Sequence, residues 1–103
     1  AGLTRFVRHP PVTLLDGTVV HPDVGDPTVG FYAEVDHHTW HDPSASIDYD
    51  NDRDRQIRLA GDVVERVTDT RLQASLATVV AELGALYLRR LATVLPASGR
   101  RSA

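Results

Sequence analysis

Residues 21–41 read HPDVGDPTVGFYAEVDHHTWH, and this stretch decides the expected fold. It carries three acids at short intervals, namely Asp23, Glu34 and Asp36. Side chains alternate along a β-strand, so neighbouring antiparallel strands at residues 18–24 and 29–36 would point all three acids to one face. The pattern therefore predicts a cluster of carboxylates on a sheet.

Such a cluster is unfavourable unless a cation accompanies it. Like charges in close contact raise the pKa of at least one carboxyl group, whereas a hard divalent ion keeps all of them ionised. The sequence therefore predicts a candidate site for a hard divalent cation at Asp23, Glu34 and Asp36. The alternative is a solvated sheet face whose carboxylates bind no ion.

The histidines of the same stretch suggest a second kind of metal site. Four of the five histidines lie between His21 and His41. His37 and His38 are adjacent and would point to opposite faces of a strand, so they cannot easily share one ion. A transition-metal site formed by His21, His41 and one acid stays open, as does the alternative that these are plain loop histidines.

The length of 103 residues indicates one small domain, which we place at residues 1–103. No apolar run reaches the roughly 20 residues that a membrane span requires, so no membrane partner is expected. The chain has no cysteine, which excludes disulfides and thiolate metal sites and favours the cytoplasm. It also lacks an initiator methionine, and we expect it to be the C-terminal part of a longer protein.

Charge is segregated along the chain. All eleven basic residues are arginine, and the formal net charge is −3. Ten of the fourteen acids lie between Asp16 and Asp54, whereas arginines recur near the C-terminus. The overall charge gives no general attraction to nucleic acid, so a nucleic-acid site would depend on local arginines and on a bound cation.

The remaining pattern predicts an α/β domain. The Asp16-Gly17 pair between β-rich runs is typical of a hairpin that joins strands at residues 11–15 and 18–24. In the next strand, one set of alternating side chains should face the core, namely Phe31, Ala33 and Val35. The other set carries the acids, namely Tyr32, Glu34 and Asp36, and should share a polar face with His21 and Asp23 of the preceding strand.

Helices and one more strand complete the expected order. A surface helix should begin at Ser44 or Ser46 and end before Gly61, and a fourth strand should follow it. A closing helix at residues 69–94 carries an apolar stripe that should cover one face of the sheet. The members of that stripe are Leu72, Leu76, Val79, Leu83, Leu86 and Leu91. Pro96 should end this helix and leave residues 97–103 as a flexible tail.

The order and spacing of these residues resemble an endonuclease-like family related to the very-short-patch mismatch repair endonuclease, within the PD-(D/E)xK nuclease superfamily. The resemblance covers about residues 18–70. It rests on four pieces in order: the run from Asp23 through Glu34 to His41, the helix segment RDRQI at 53–57, the LAG turn at 59–61, and the strand VVERVT at 63–68.

This resemblance implies a restriction-endonuclease-like fold, with a mixed central sheet of about four strands flanked by helices, and a Mg²⁺-dependent nuclease centre that acts on DNA. Asp23 would be the bridging metal ligand and Glu34 the acid of the following strand. Asp36 would stand where many relatives carry lysine, and His41 would transfer a proton. Candidate substrate contacts near these residues are Tyr32, His38, Trp40 and Arg53.

Three departures from the family pattern keep a second function open. His37 stands where members usually carry glycine, and Asp62 stands where they carry tryptophan. The N-terminal helix of the family, with its further acid, is not present in this chain. The alternative is a catalytically inactive nuclease-like domain that binds nucleic acid or a partner, in a regulator or antitoxin-like protein whose N-terminal domain lies outside this sequence.

Several residues also have simple structural explanations. Trp40 is expected to cover the core more readily than to stack on a base, and Arg53 and Arg55 to form ion pairs within their own helix. Arg89 and Arg90 would interact with the dipole at a helix C-terminus. A third function is that of an interaction domain, in which the C-terminal helix docks onto another subunit, for example in a homodimer.

Overall fold

The fold is a mixed α/β domain, taken from a computed structural model that describes residues 5–36 and 52–102. Its strands are β1 (Val7–Arg8), β2 (Val12–Thr13), β3 (Val19–Val20), β4 (Val24–Asp26), β5 (Phe31–Asp36) and β6 (Val63–Thr68). Its helices are α1 (residues 52–59), α2 (Asp69–Ala74) and α3 (Leu76–Ser102).

The four-stranded sheet has the order β1-β4-β5-β6. Strands β4 and β5 are antiparallel, whereas β6 runs parallel to β5 and is reached through α1. A parallel pair needs a crossover of this kind because a tight turn cannot join its strands. Strands β2 and β3 form a separate antiparallel pair. The expected α/β class with a mixed sheet of about four strands is confirmed.

Both faces of the sheet are covered. On one face, Tyr32 and Val64 pack with Ile57 of α1 and with the β2–β3 hairpin. On the other face, Phe31 packs against Tyr87 of α3. The predicted polar face of β5 is therefore corrected, because the face that carries Glu34 also carries the buried Tyr32 and is covered by α1 and the hairpin.

The first predicted strands are shorter than the sequence suggested. The Asp16-Gly17 turn is present, with Gly17 at a φ of 88° and the Thr18 amide donating to Asp16 Oδ1 at 2.9 Å. The strand expected at residues 18–24 is instead divided between β3 and β4. Pro22 lies between them and has no N–H to donate to a ladder, which accounts for the interruption.

The closing helix differs from its prediction at two places. It is broken at Ser75 into α2 and α3, and the Thr68 side chain caps α2 by accepting from the Arg71 amide. Pro96 does not end α3, which continues to Ser102 although proline supplies no N–H to its ladder. The mobility of residues 97–103 stays a prediction.

The apolar stripe of the closing helix covers the sheet only in part. Val79 is 2% exposed and Tyr87 is 1% exposed, whereas Leu76 is 56% exposed and Leu86 is 37% exposed. The residue that anchors α3 is thus the tyrosine, which lay outside the predicted stripe.

Arg90 connects α3 to two turns of the sheet. Its Nε donates to the Val29 carbonyl at 2.8 Å, and its Nη2 donates to the Gly61 carbonyl at 2.7 Å. Gly61 adopts a φ of 94° after α1, as predicted for a glycine that follows a helix. The explanation of Arg90 by the dipole at a helix C-terminus is therefore wrong. Arg90 lies in the middle of α3, and its side chain donates to the carbonyls of Val29 and Gly61 outside that helix.

A buried hydrogen bond joins α3 to β4. The Tyr87 hydroxyl donates to Asp26 Oδ2 at 2.5 Å, and Asp26 is 0% exposed. Burial, followed by the hydrogen bond and the charge of Asp26, raises the pKa of Tyr87 from 10.0 to about 12.

Replacing Tyr87 by phenylalanine tests the energetic importance of this bond. We expect Tyr87→Phe to lower the free energy of unfolding by about 2 kcal/mol, because Asp26 would lose its side-chain donor in the interior. In the wild type, stability should also fall as the pH rises from about 10 to about 12, since the unfolded chain loses the Tyr87 proton first. Urea unfolding at several pH values should show less of this alkaline loss in the variant, and an unchanged loss would contradict the assignment.

None of the helices within residues 5–36 and 52–102 combines the length and the hydropathy that a bilayer span requires.

Candidate functional site

Asp23, directly before β4, lies opposite Glu34 of β5. The register aligns Val24 with Ala33, so Asp23, one residue earlier, is level with Glu34, one residue later. Residues opposite each other on antiparallel strands share a face, with Cβ atoms about 5 Å apart. The charge of Asp23 also contributes to raising the pKa of Glu34, as expected for two nearby carboxylates.

Asp23 is fixed by hydrogen bonds on both sides. Its Oδ2 accepts from the Val35 amide of β5 at 2.6 Å. Its backbone carbonyl accepts from the His9 amide at 2.9 Å. His9 has a φ of 49°, which is unusual for a residue other than glycine, and its left-handed conformation places it directly after β1. The carboxylate is therefore held in place before any ligand binds.

Glu34 is buried and paired with two guanidinium groups. It is 4% exposed, and its Oε2 lies 3.0 Å from Arg53 Nη1 and 3.3 Å from Arg66 Nη2. Burial raises the pKa of Glu34, the two arginines oppose this rise, and Asp23 and Asp54 add to it. The ionised form of Glu34 therefore depends on the cations beside it.

Arg66 is held firmly by Asp54. Its Nε and Nη2 donate to the two carboxylate oxygens of Asp54 at 3.1 and 3.0 Å, in the two-point geometry that favours arginine–carboxylate pairs. Asp54 is 5% exposed. The pair connects α1 to β6 directly beside Glu34 of β5.

The structure corrects the expected partners of α1. Arg53 pairs with Glu34 of β5, and Asp54 pairs with Arg66 of β6, rather than with each other within the helix. Asp50, another expected partner, lies outside the described residues. Arg55 does pair within the helix, with Asp52 at 3.3 Å. The sequence contained one signal of this arrangement, because Asp54 lies one helical turn before the buried Ile57.

Tyr32 lies in the hydrophobic core. It is 3% exposed and packs with Val12, Leu14 and Ile57. A ring buried to this extent offers no free face to a base, so its role in the described fold is packing. Its place among the candidate substrate contacts followed from its position on the face of the strand that carries the acids.

The other candidate residues are distributed differently. Asp36 ends β5 and, by the alternation of side chains, lies on the same side of that strand as Glu34. The ring of His21 is 3.3 Å from the His9 carbonyl, at the β1 side of the site. His38, Trp40 and His41 lie outside the described residues.

The carboxylates fit a hard divalent ion in chemistry, although the set is small. Asp23 and Glu34 supply only oxygen donors, which Mg²⁺ and Mn²⁺ accept. Among residues 5–36 and 52–102, no group of three or more histidine, cysteine, aspartate or glutamate side chains has the geometry of a metal site. A cation would have to share Glu34 with Arg53 and Arg66.

No family model, curated protein or solved structure matches the chain. The functional argument therefore depends on the geometry of the site and on the sequence pattern.

Proposed function

We propose that this chain is a restriction-endonuclease-like domain that hydrolyses phosphodiester bonds of nucleic acid, with DNA as the preferred substrate, in the cytoplasm. The observation that carries the proposal is the pair of carboxylates formed by Asp23, directly before β4, and Glu34 of β5, with two arginines against Glu34. A site of this kind can bind a divalent cation and the anionic backbone of a nucleic acid together.

The order of the elements supports the proposal. An antiparallel strand pair carries the two acids, a helix follows, and a strand parallel to β5 completes the sheet. These elements coincide with the four sequence pieces that resemble the nuclease family, including the arginine-aspartate segment in α1 and the Arg66-Val67-Thr68 end of β6.

The chemistry follows from the charges. A divalent cation supplies an activated water and neutralises the charge that develops on the phosphate. Asp23 and Glu34 would hold the cation, with Asp36 as a third ligand, and His41 would transfer a proton to or from a reacting oxygen. Asp23 is suited to this task because the Val35 amide already fixes one of its oxygens.

A plasmid assay tests the proposal. Supercoiled DNA incubated with the protein and Mg²⁺ or Mn²⁺ should be nicked or linearised, and EDTA should stop the reaction. An oligonucleotide series of double-stranded DNA, single-stranded DNA and RNA would define the substrate. Intact DNA and RNA in every metal buffer would contradict a nuclease.

A second candidate is an inactive nuclease-like domain that only binds nucleic acid. Its support is the ion pairing of Glu34 with Arg53 and Arg66, which neutralises the carboxylate without a metal. A gel shift with a salt series in EDTA distinguishes this candidate, since binding without cleavage and a steep salt dependence would favour it.

The exposed apolar face of α3 supports association with a second copy of the chain. Val80 is 44% exposed, Leu76 56% and Leu88 59%, at intervals of four and eight residues along one side of the helix. We expect the wild type to form a dimer, and Val80→Glu to convert it to a monomer, because the interface would have to bury a charge. Light scattering after size exclusion measures the mass. Thr78→Glu adds the same charge at an exposed polar position and should leave the dimer intact, whereas a monomeric wild type would exclude this association.

A further inference from the structure

Arg53 and Arg66 contact the same oxygen of Glu34, but they are held very differently. Arg66 makes two hydrogen bonds to Asp54 in addition to its contact with Glu34. Among the described residues Arg53 makes one ion pair, from Nη1 to Glu34 Oε2 at 3.0 Å. The described contacts therefore fix Arg66 at three points and Arg53 at one.

The rest of the Arg53 side chain is poorly satisfied. Its Nε is buried and has no hydrogen-bond partner within the described part of the chain. A buried donor without a partner is unfavourable, so Arg53 would gain from any move that gives this N–H an acceptor. The side chain is 19% exposed against 5% for Glu34, so its guanidinium can turn toward solvent without opening the core.

The charge of the cluster favours such a move when a cation is bound. The four carboxylates of Asp23, Glu34, Asp36 and Asp54 and the two guanidinium groups of Arg53 and Arg66 have a formal charge of −2. A divalent cation would bring the charge of the same group to zero, which weakens its attraction for a guanidinium and lets a phosphodiester approach. Arg66 would stay in place because Asp54 holds it.

We propose that Arg53 is an exchangeable counter-ion. In the free protein it occupies the position at Glu34 that a divalent cation would take. When Asp23 and Glu34 hold a cation, its guanidinium moves to a backbone phosphate of the nucleic acid, and that phosphate also satisfies Nε. This inference rests on the proposed metal site, and it identifies the ligand of Arg53 as a phosphodiester.

Metal binding without nucleic acid is the first test. Arg53→Gln should bind Mn²⁺ about tenfold more tightly than the wild type, because the competing charge is gone. Arg55→Gln is the matched control, since it removes the same charge from the same helix but from a side chain that is 62% exposed and paired with Asp52. The paramagnetic resonance signal of free Mn²⁺ gives both affinities. Equal affinities in the two variants would overturn the exchange.

Binding to a short DNA duplex is the second test. In Ca²⁺, Arg53→Gln should bind about tenfold more weakly than Arg55→Gln and reduce the slope of the salt dependence by about one. In EDTA the two variants should bind alike, because Arg53 then remains on Glu34. An equal loss in Ca²⁺ and in EDTA would overturn the proposal.

A measurement on the wild type covers the case in which Arg53→Gln does not fold. The buried Nε–H of Arg53 should give a slowly exchanging nitrogen–proton cross-peak, and Mg²⁺ should shift or remove it while the Arg66 cross-peak persists. A cross-peak unchanged by saturating Mg²⁺ would overturn the exchange.

The outcomes separate this inference from the nuclease proposal. Metal-dependent cleavage together with equal Mn²⁺ affinities of the two variants overturns the exchange and leaves the nuclease. The Arg53 effect without any cleavage supports the exchange and overturns the nuclease. A wild type that binds no Mn²⁺ overturns both.

Discussion

Asp23→Asn is expected to reduce metal-dependent cleavage by about three orders of magnitude, because the cation would lose a charged ligand that is worth several kcal/mol in the transition state. The substitution keeps an oxygen that can accept from the Val35 amide, so the contact that places residue 23 can survive. The loss should therefore appear in the rate of plasmid cleavage and in Mn²⁺ affinity, with little change in the melting temperature.

Asp16→Asn provides the matched control for this prediction. Asp16 also accepts a hydrogen bond from a backbone amide, that of Thr18, but it lies in the exposed turn between β2 and β3. Its replacement should leave cleavage unchanged. If Asp23→Asn cleaved DNA at the wild-type rate with the same metal dependence, the catalytic assignment would fail.

Arg66→Met is expected to have the largest effect on stability. Arg66 neutralises two buried carboxylates, those of Glu34 and Asp54, which are 4% and 5% exposed. Removing one partner of a buried ion pair leaves uncompensated charge and costs about 3 to 5 kcal/mol. In a domain of this size that loss lowers the melting temperature by about 15 °C or more, which calorimetry would detect.

Arg71→Met is the comparison for Arg66→Met. Arg71 lies 2.8 Å from Glu82, closer than Arg66 lies to either of its partners, but both side chains are about half exposed. Solvent screening should limit its contribution to about 0 to 1 kcal/mol. A melting temperature lowered equally by the two variants would show that burial does not decide the energetics of the site.

Much of the sheet could be predicted from alternating side chains. The parity of β5 correctly separated Phe31 from Glu34, and the turn at Asp16 and Gly17 was recognisable because aspartate and glycine suit a tight hairpin. The covering of the second face was not predictable, since it depends on α1 and the β2–β3 hairpin folding over Tyr32. Alternation shows which residues share a face but not what lies against that face.

In the candidate site, the pairing of Asp23 with Glu34 was predictable from the sequence, but the ion pairs around Glu34 were not. The spacing of Asp23 and Glu34 was sufficient to bring them together, because a single turn fixes the register of the two strands that carry them. The pairing of Arg66 with Asp54 joins residues of α1 and β6, and that of Arg66 with Glu34 spans 32 positions. Neither follows a local periodicity, so the nearby charges of α1 suggested pairs within the helix instead.

The position of β5 has a consequence for how the site responds to heat. This strand is hydrogen-bonded on both sides, and its residues Phe31 to Glu34 are at most 5% exposed. Amide hydrogens in such a strand exchange with solvent only when the whole domain opens, whereas those near the ends of α3 can exchange through local fraying. The carboxylate of Glu34 should thus keep its place up to the cooperative melting transition, so that the loss of the site's geometry and global unfolding coincide.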